Sequence, residues 1–190
     1  MIQVVMFDLG LTLIDDKNRP FPHVEDALDA IAQFKTSDGH PLRSCLVSDF
    51  TMAAPPVTPA KVSALFNQYL SILDSTGLRH LFEPVKKRVT LSTHVGVLKP
   101  DRKVFEKALK RLGASVSLDK CLFITENANH VEKARKALKM HALRFRSAGS
   151  SKFDFDDWSE APALIANLVA PHQLTNNSRR NQNALGNPRR

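Results

Sequence analysis

Five short runs of mostly apolar, β-branched or aromatic residues recur along the chain: IQVVMF (2–7), RSCLV (43–47), RVTLS (88–92), KCLFI (120–124) and HALRF (141–145). Short, almost wholly apolar runs suit strands covered on both faces, as in a parallel sheet. Segments of helical spacing separate them. HVEDALDAIAQFK (23–35) puts Val24, Leu28, Ile31 and Ala32 on one face, and TPAKVSALFNQYLSIL (58–73) opens on a Thr-Pro pair suited to an N-cap and first turn. PDRKVFEKALKRLG (100–113) turns Val104, Phe105, Ala108 and Leu112 inward and stops at Gly113. NHVEKARKALKM (129–140) groups Val131, Ala134 and Leu138, and DFDDWSEAPALIANLV (154–169) closes the series. Alternating strand and helix predicts right-handed crossovers. The expected fold is therefore an α/β, Rossmannoid three-layer α/β/α sandwich on a mostly parallel five-stranded sheet.

Ligands of such sheets sit at the carboxyl ends of the strands. The first run delivers Asp8 to that edge, the second Ser48 and Asp49, and the fourth Thr125, Glu126 and Asn127. STHVGVLKPD (92–101), after the third, brings Lys99 to a helix start. Two carboxylates, a hydroxyl and a lysine thus converge on one edge. Taken singly, Asp8 reads as a turn cap, Ser48 as a strand-end turn residue, Lys99 as a solvated lysine and Glu126 as an acid favoured at a helix N-terminus. Only their joint register argues for chemistry.

Charge and composition narrow the classes. The 27 Lys and Arg against 19 Asp and Glu give a net charge of +8. Half of that excess lies in HQLTNNSRRNQNALGNPRR (172–190), which has four arginines and no acid. That segment is too polar to fold alone, so residues 1–171 are expected to form the domain and 172–190 a disordered basic tail. Neither interleaved aromatics nor a recognised motif supports nucleic-acid binding. No apolar run is long enough to span a membrane and no secretory leader is evident, so a cytoplasmic location is expected. Cys45 and Cys121 lie inside apolar runs and read as buried thiols.

The four edge segments, in this order, resemble the haloacid dehalogenase (HAD) superfamily of phosphohydrolases and dehalogenases. MFDLGLTL (6–13) is similar to that family's first motif, CLVSDF (45–50) to its second, STHVGVLKPDRKVFEKALKRLG (92–113) to its third and CLFITENANHVEKARKALKM (121–140) to its fourth. The resemblance covers about residues 2–146. It implies Asp8 as nucleophile and Lys99 as the cation that neutralises charge at the phosphoryl group. It further implies Thr12, Ser48 and Asp49 as substrate-binding residues, and Asp8, the Gly10 carbonyl and Glu126 as ligands of Mg²⁺.

Four positions depart from the pattern. Gly10 stands where phosphatases of this family carry a second aspartate as general acid, help that is worth roughly 10²–10⁴-fold. Glu126 replaces the usual aspartate, keeping the charge on a longer arm, with Asp49 and Asn127 as possible compensating oxygens. His130 falls where a further acid is common, and Leu11 where many members have glycine. The 40 positions from Asp8 to Ser48 hold a flap-like LIDDKNRPF, one helix and a loop, so a capless or minimal-cap site is expected.

The function implied is Mg²⁺-dependent phosphatase chemistry through an aspartyl-phosphate, with weak or narrow activity, on a phosphorylated small molecule or macromolecule. The alternative is a catalytically degenerate HAD-like module that binds a protein partner or a phosphorylated ligand. Phe153, Phe155 and Trp158 are expected to pack the last helix onto the sheet.

Overall fold

In the computed structural model, which describes residues 1–146 and 152–169, each of the five apolar runs forms a strand. In chain order these are β1 (Val4–Phe7), β2 (Arg43–Ser48), β3 (Val89–Leu91), β4 (Cys121–Thr125) and β5 (His141–Arg144). They make one sheet in the order β3-β2-β1-β4-β5, and every neighbouring pair is parallel. The expected basic tail from residue 172 lies outside the described residues.

The helices are α1 (Val24–Ala32), α2 (Pro59–Ser75), α3 (Val85–Arg88), α4 (Arg102–Leu112), α5 (Ala128–Lys136) and α6 (Ala161–Val169). Alternate residues of β1 face opposite layers. Val5 and Phe7 join a core with α1, α6 and the C-terminal end of α2, while Val4 and Met6 join one with α4 and α5. The strands are all-apolar because both faces are covered.

Several local expectations hold. Thr58 caps α2 by accepting from the Lys61 backbone N, with Pro59 in the first turn. Gly113 ends α4 at φ +66°, a left-handed conformation that glycine adopts without strain. The two cysteines are free, buried thiols, and burial pushes both up to about 12.

Helix register corrects two assignments. Ala32, expected inward, is exposed at the last position of α1, and Ala27 is buried instead. Leu112 is only partly buried, and Leu109 fills the core position of α4. The aromatic segment is corrected too. Phe155 and Trp158 are buried, ring against ring with each other and with Phe145, but Phe153 lies 39% exposed with the Arg146 guanidinium over its ring. The chain bends at Asp154, which breaks the strand alternation that would put 153 and 155 on one face.

No separate cap domain interrupts the described chain. Between β1 and β2 lie a small flap, held by bridges from Ile14 to Gly10 and to Pro20, and then α1. Between β2 and β3 lies α2, of which only Tyr69, Leu70 and Leu73 are buried. Its N-terminal half extends past the core, with Phe66 against His94. Among the described residues no helix is long and apolar enough to cross a membrane.

Candidate active site

Asp8 is the first residue beyond β1, anchored by its backbone N on the Ile124 carbonyl of β4 (2.9 Å). This fixes the carboxylate between the central strands, where it is almost fully buried. Oδ1 accepts from the Leu9 backbone N at 2.9 Å and from the Ser48 hydroxyl at 3.3 Å. Oδ2 pairs with the Lys99 ammonium and lies 3.1 Å from the Thr125 hydroxyl. Residues from the ends of β1, β2 and β4 and from the start of the α4 segment therefore meet on one carboxylate.

Lys99 has a side chain only 1% exposed, so its charge needs partners. The ammonium also donates to the Val47 carbonyl at 3.1 Å and sits 5.5 Å from the Phe123 ring centroid. Asp49 accepts from the Lys99 backbone N at 2.8 Å. Its carboxylate thus holds the lysine's main chain in position.

Thr12 likewise serves a neighbour. Its hydroxyl donates to Glu126 Oε2 at 2.8 Å and accepts from the Glu126 backbone N at 3.1 Å, a reciprocal clasp between the loops after β1 and β4. The Trp158 indole N–H donates to the Thr12 carbonyl at 2.9 Å, so the closing segment braces the loop that follows Asp8. The Thr125 hydroxyl lies 3.1 Å from both Asp8 Oδ2 and Glu126 Oε2. With one proton it donates to one carboxylate at a time.

Asn127 is used otherwise than expected. Its side-chain oxygen caps α5, accepting from the backbone N of Asn129 and His130, so it is engaged in helix capping and not in compensating for Glu126. His130 is half-buried in the first turn of α5. Its Nδ1 is buried with no hydrogen-bond partner among the described residues. Burial, and then the Lys99 charge, push its imidazole below the ordinary histidine range, while Asp8, Asp49 and Glu126 pull the other way. It stands as a predominantly neutral group where an acid would have added negative charge.

Two participants were invisible as site residues. Thr125 was noted at the strand end without a role. Tyr69, inside α2, is 2% exposed and donates its phenol proton to Ser48 Oγ at 2.7 Å. Burial pushes its phenol strongly up, so it remains a donor. Ser48 must then point its own proton at Asp8. Only a helix register that brought Tyr69 under the end of β2 could have revealed this relay.

Position 10 is open. A Cβ on Gly10 would meet nothing within 4 Å, and its backbone is outside the left-handed region. The missing side chain is therefore not imposed by crowding. Among the described residues no three metal-ligating side chains cluster, which leaves Asp8, Glu126 and main-chain oxygen as donors. That is a hard oxygen set of the kind Mg²⁺ uses, since it keeps several waters and takes one or two carboxylates. The donor chemistry fits.

A buried aspartate paired with a lysine and flanked by hydroxyl and amide donors thus stands at the carboxyl edge of a parallel sheet in the order 3-2-1-4-5, a Rossmannoid α/β fold. The solved structures bear out that fold. A HAD-superfamily hydrolase from Ehrlichia chaffeensis superposes with a TM-score of 0.56 at 14% identity, over 89% of this chain and 99% of that one. The L-2-haloacid dehalogenase of Xanthobacter autotrophicus matches at 0.51 and 17% identity, over 90% and 85%. The YfnB protein of Bacillus subtilis, whose structure holds magnesium, matches at 0.55 and 10% identity, over 80% and 57%. The chain spans 52%, 57% and 58% of three matched chains, and 96% and 99% of two others. No protein-family model matches the sequence, and no curated protein does.

Proposed function

We propose that the protein is a Mg²⁺-dependent phosphohydrolase that works through an aspartyl-phosphate on Asp8. One observation carries this reading: the Asp8 carboxylate is almost fully buried, yet ringed by the Lys99 ammonium, the Ser48 and Thr125 hydroxyls and the Leu9 amide. These donors are fixed before any ligand arrives, which is how charge on a transferring phosphoryl group is stabilised. Asp8 attacks phosphorus and the leaving oxygen departs. Lys99 and Ser48 hold the phosphoryl oxygens, and water then releases phosphate and regenerates the carboxylate. A Mg²⁺ held by Asp8, Glu126 and the Gly10 carbonyl would neutralise the phosphoryl charge. The substrate is a phosphorylated small molecule or macromolecule.

The second reading, a module that binds without turnover, is favoured by the bare α-carbon at Gly10, where no proton donor stands. Aryl-phosphate hydrolysis with and without Mg²⁺, in wild type and Asp8→Asn, separates the two. The phosphohydrolase gives metal-dependent turnover lost in the variant. A binding module gives none in either protein, with both folded.

A further inference from the structure

The two helical layers of the sandwich differ in charge. Helix α1 carries Glu25, Asp26 and Asp29 and no cation, and α6 carries no charged side chain. On the other side of the sheet, α4 and α5 share one core with Val4, Met6, Cys45 and Val47 of β1 and β2. Together these two helices hold eight Lys and Arg against Glu106 and Glu132 alone. Helix α3, packed against α4, adds Lys86, Lys87 and Arg88. Positive charge that the sequence scatters along the domain is thus sorted by the fold onto one face.

Helix geometry aligns part of it. Lys103, Lys107 and Lys110 follow one another at spacings of four and three residues, opposite the buried Val104, Phe105, Ala108 and Leu109, and so form one outward stripe. Lys133 and Lys136 stand likewise opposite Val131 and Ala134 on α5. Some cations of this face are paired: Arg102 with Glu106, Lys136 with Glu132 and Arg135 with Asp154. Lys86, Lys87, Lys103, Lys107, Lys110 and Lys133 have no carboxylate partner among the described residues.

The arrangement is unfavourable for the free protein. Like charges three and four apart on a helix repel. Arg102 and Lys103 also stand in the first turn of α4, the end at which the helix dipole disfavours cations. Solubility asks for both signs interspersed, not for one sign gathered on one layer. A polyanion laid across the face would relieve both.

What the face lacks identifies the polyanion. None of the large exposed apolar side chains (Met1, Leu11, Met52, Val57, Leu98 and Phe153) belongs to α3, α4 or α5. A helix seated in a membrane or the core of a protein interface would need them. No aromatic side chain is exposed on these helices, so single strands find no stacking platform. Asn129 is their one amide or hydroxyl side chain, too little to engage the 2′-hydroxyls of an RNA duplex. The phosphates of duplex DNA ask only for cations.

We propose that the face formed by α4 and α5, extended by α3, docks duplex DNA through its phosphate backbone without reading its sequence. The interleaved aromatics and motifs missing from the chain serve base readout, which backbone docking does not use. The docking is independent of the chemistry at Asp8, and the Asp8→Asn protein should bind the duplex as wild type does.

Fluorescence anisotropy of a labelled DNA duplex, titrated with the full chain between about 50 and 200 mM salt, tests this. Log Kd should rise with log salt at a slope of about 4 or more, ~0.9 for each phosphate neutralised, and alike for two unrelated sequences. Lys86→Gln/Lys103→Gln/Lys110→Gln/Lys133→Gln, which touches only exposed lysines, should lower that slope by about 2–4 and weaken low-salt binding at least ~10-fold. Arg179→Gln/Arg180→Gln/Arg189→Gln/Arg190→Gln removes the same charge from the tail and should change both less. No duplex binding at the low-salt end, a lysine variant that binds like wild type, or a tail variant that loses as much would overturn the proposal. So would tighter binding to a DNA single strand, an RNA duplex, phosphatidylserine vesicles or poly-glutamate than to the DNA duplex.

Discussion

Replacing Lys99 by methionine removes the ammonium while keeping most of the side chain's apolar length. Asp8, 11% exposed in its side chain, would then face a site with no cation on it. Removing one partner of a buried ion pair costs about 3–5 kcal/mol. Asp8 keeps the Leu9 amide and the Ser48 and Thr125 hydroxyls, which places the loss at the low end, about 3 kcal/mol. The Val47 carbonyl also loses its Lys99 donor, and a buried acceptor so stranded costs ~1 kcal/mol more. Lys99→Met should therefore destabilise by about 4 kcal/mol.

Asp8→Asn strands the more deeply buried charge, and with the Val47 carbonyl and the new amide oxygen left to the ammonium it too should cost about 3 kcal/mol. In the double variant no carboxylate is left bare, so the losses should fall short of additivity by roughly 2–3 kcal/mol. Urea unfolding of the four proteins, with shared slopes, measures this cycle. A Lys99→Met loss below about 1 kcal/mol, or additivity within ~0.5 kcal/mol, would refute the claim that the two charges are coupled in the folded protein.

Gly10→Asp should fold normally, since its Cβ meets open space. It should raise turnover of phenyl phosphate by up to ~10²-fold while leaving dinitrophenyl phosphate little changed. Steady-state kinetics on the two substrates checks this. Tyr69→Phe removes only the phenol that donates to Ser48; kcat should fall about tenfold, and the same change in a Ser48→Ala background should do nothing further. His94 accepts from the Leu91 amide through Nδ1. Burial, then Arg111 and Lys107, push it down to about 4. The unfolded chain protonates near 6.5 and the folded chain only near 4, so stability should fall as pH drops through that window. At this half-buried ring the loss is about 1–2 kcal/mol after allowing for solvent. His94→Asn, which keeps an acceptor, should flatten that dependence in pH-resolved thermal melts.

The strands were legible because a parallel sheet covered on both faces leaves a continuous apolar run, and all five runs became strands. The four segments that gather at one edge were legible for the same reason, since topology alone carries Asp8, Ser48, Lys99 and Glu126 to the carboxyl ends. What stayed hidden depends on rotation and reach. Tyr69 reads as one more apolar position of a helix, and only three-dimensional register puts its phenol on Ser48. The bonds of Thr12 to Glu126 and of Asp49 to the Lys99 amide follow from loop geometry that no spacing encodes. Asn127 could equally have been a cap or a ligand, and the backbone N–H groups of α5 claimed it. The exchange of Ala32 for Ala27 is a matter of helical phase, and the outward Phe153 follows from a bend at Asp154. Val85–Arg88 is one turn long, too short to show a period.

The central claim is that Asp8 becomes phosphorylated. Without an acid at position 10 a good leaving group should go readily, whereas water attacks the phosphoenzyme with no side-chain base at that position, so the intermediate should accumulate. Mixing the protein with benzoyl phosphate and Mg²⁺, quenching in acid and reading intact and peptide masses tests this directly. The account predicts one added phosphoryl group on the peptide containing Asp8, absent from Asp8→Asn and diminished without Mg²⁺. An unmodified Asp8 alongside Asp8-dependent release of phosphate, or phosphoryl transfer to any other residue, would contradict it.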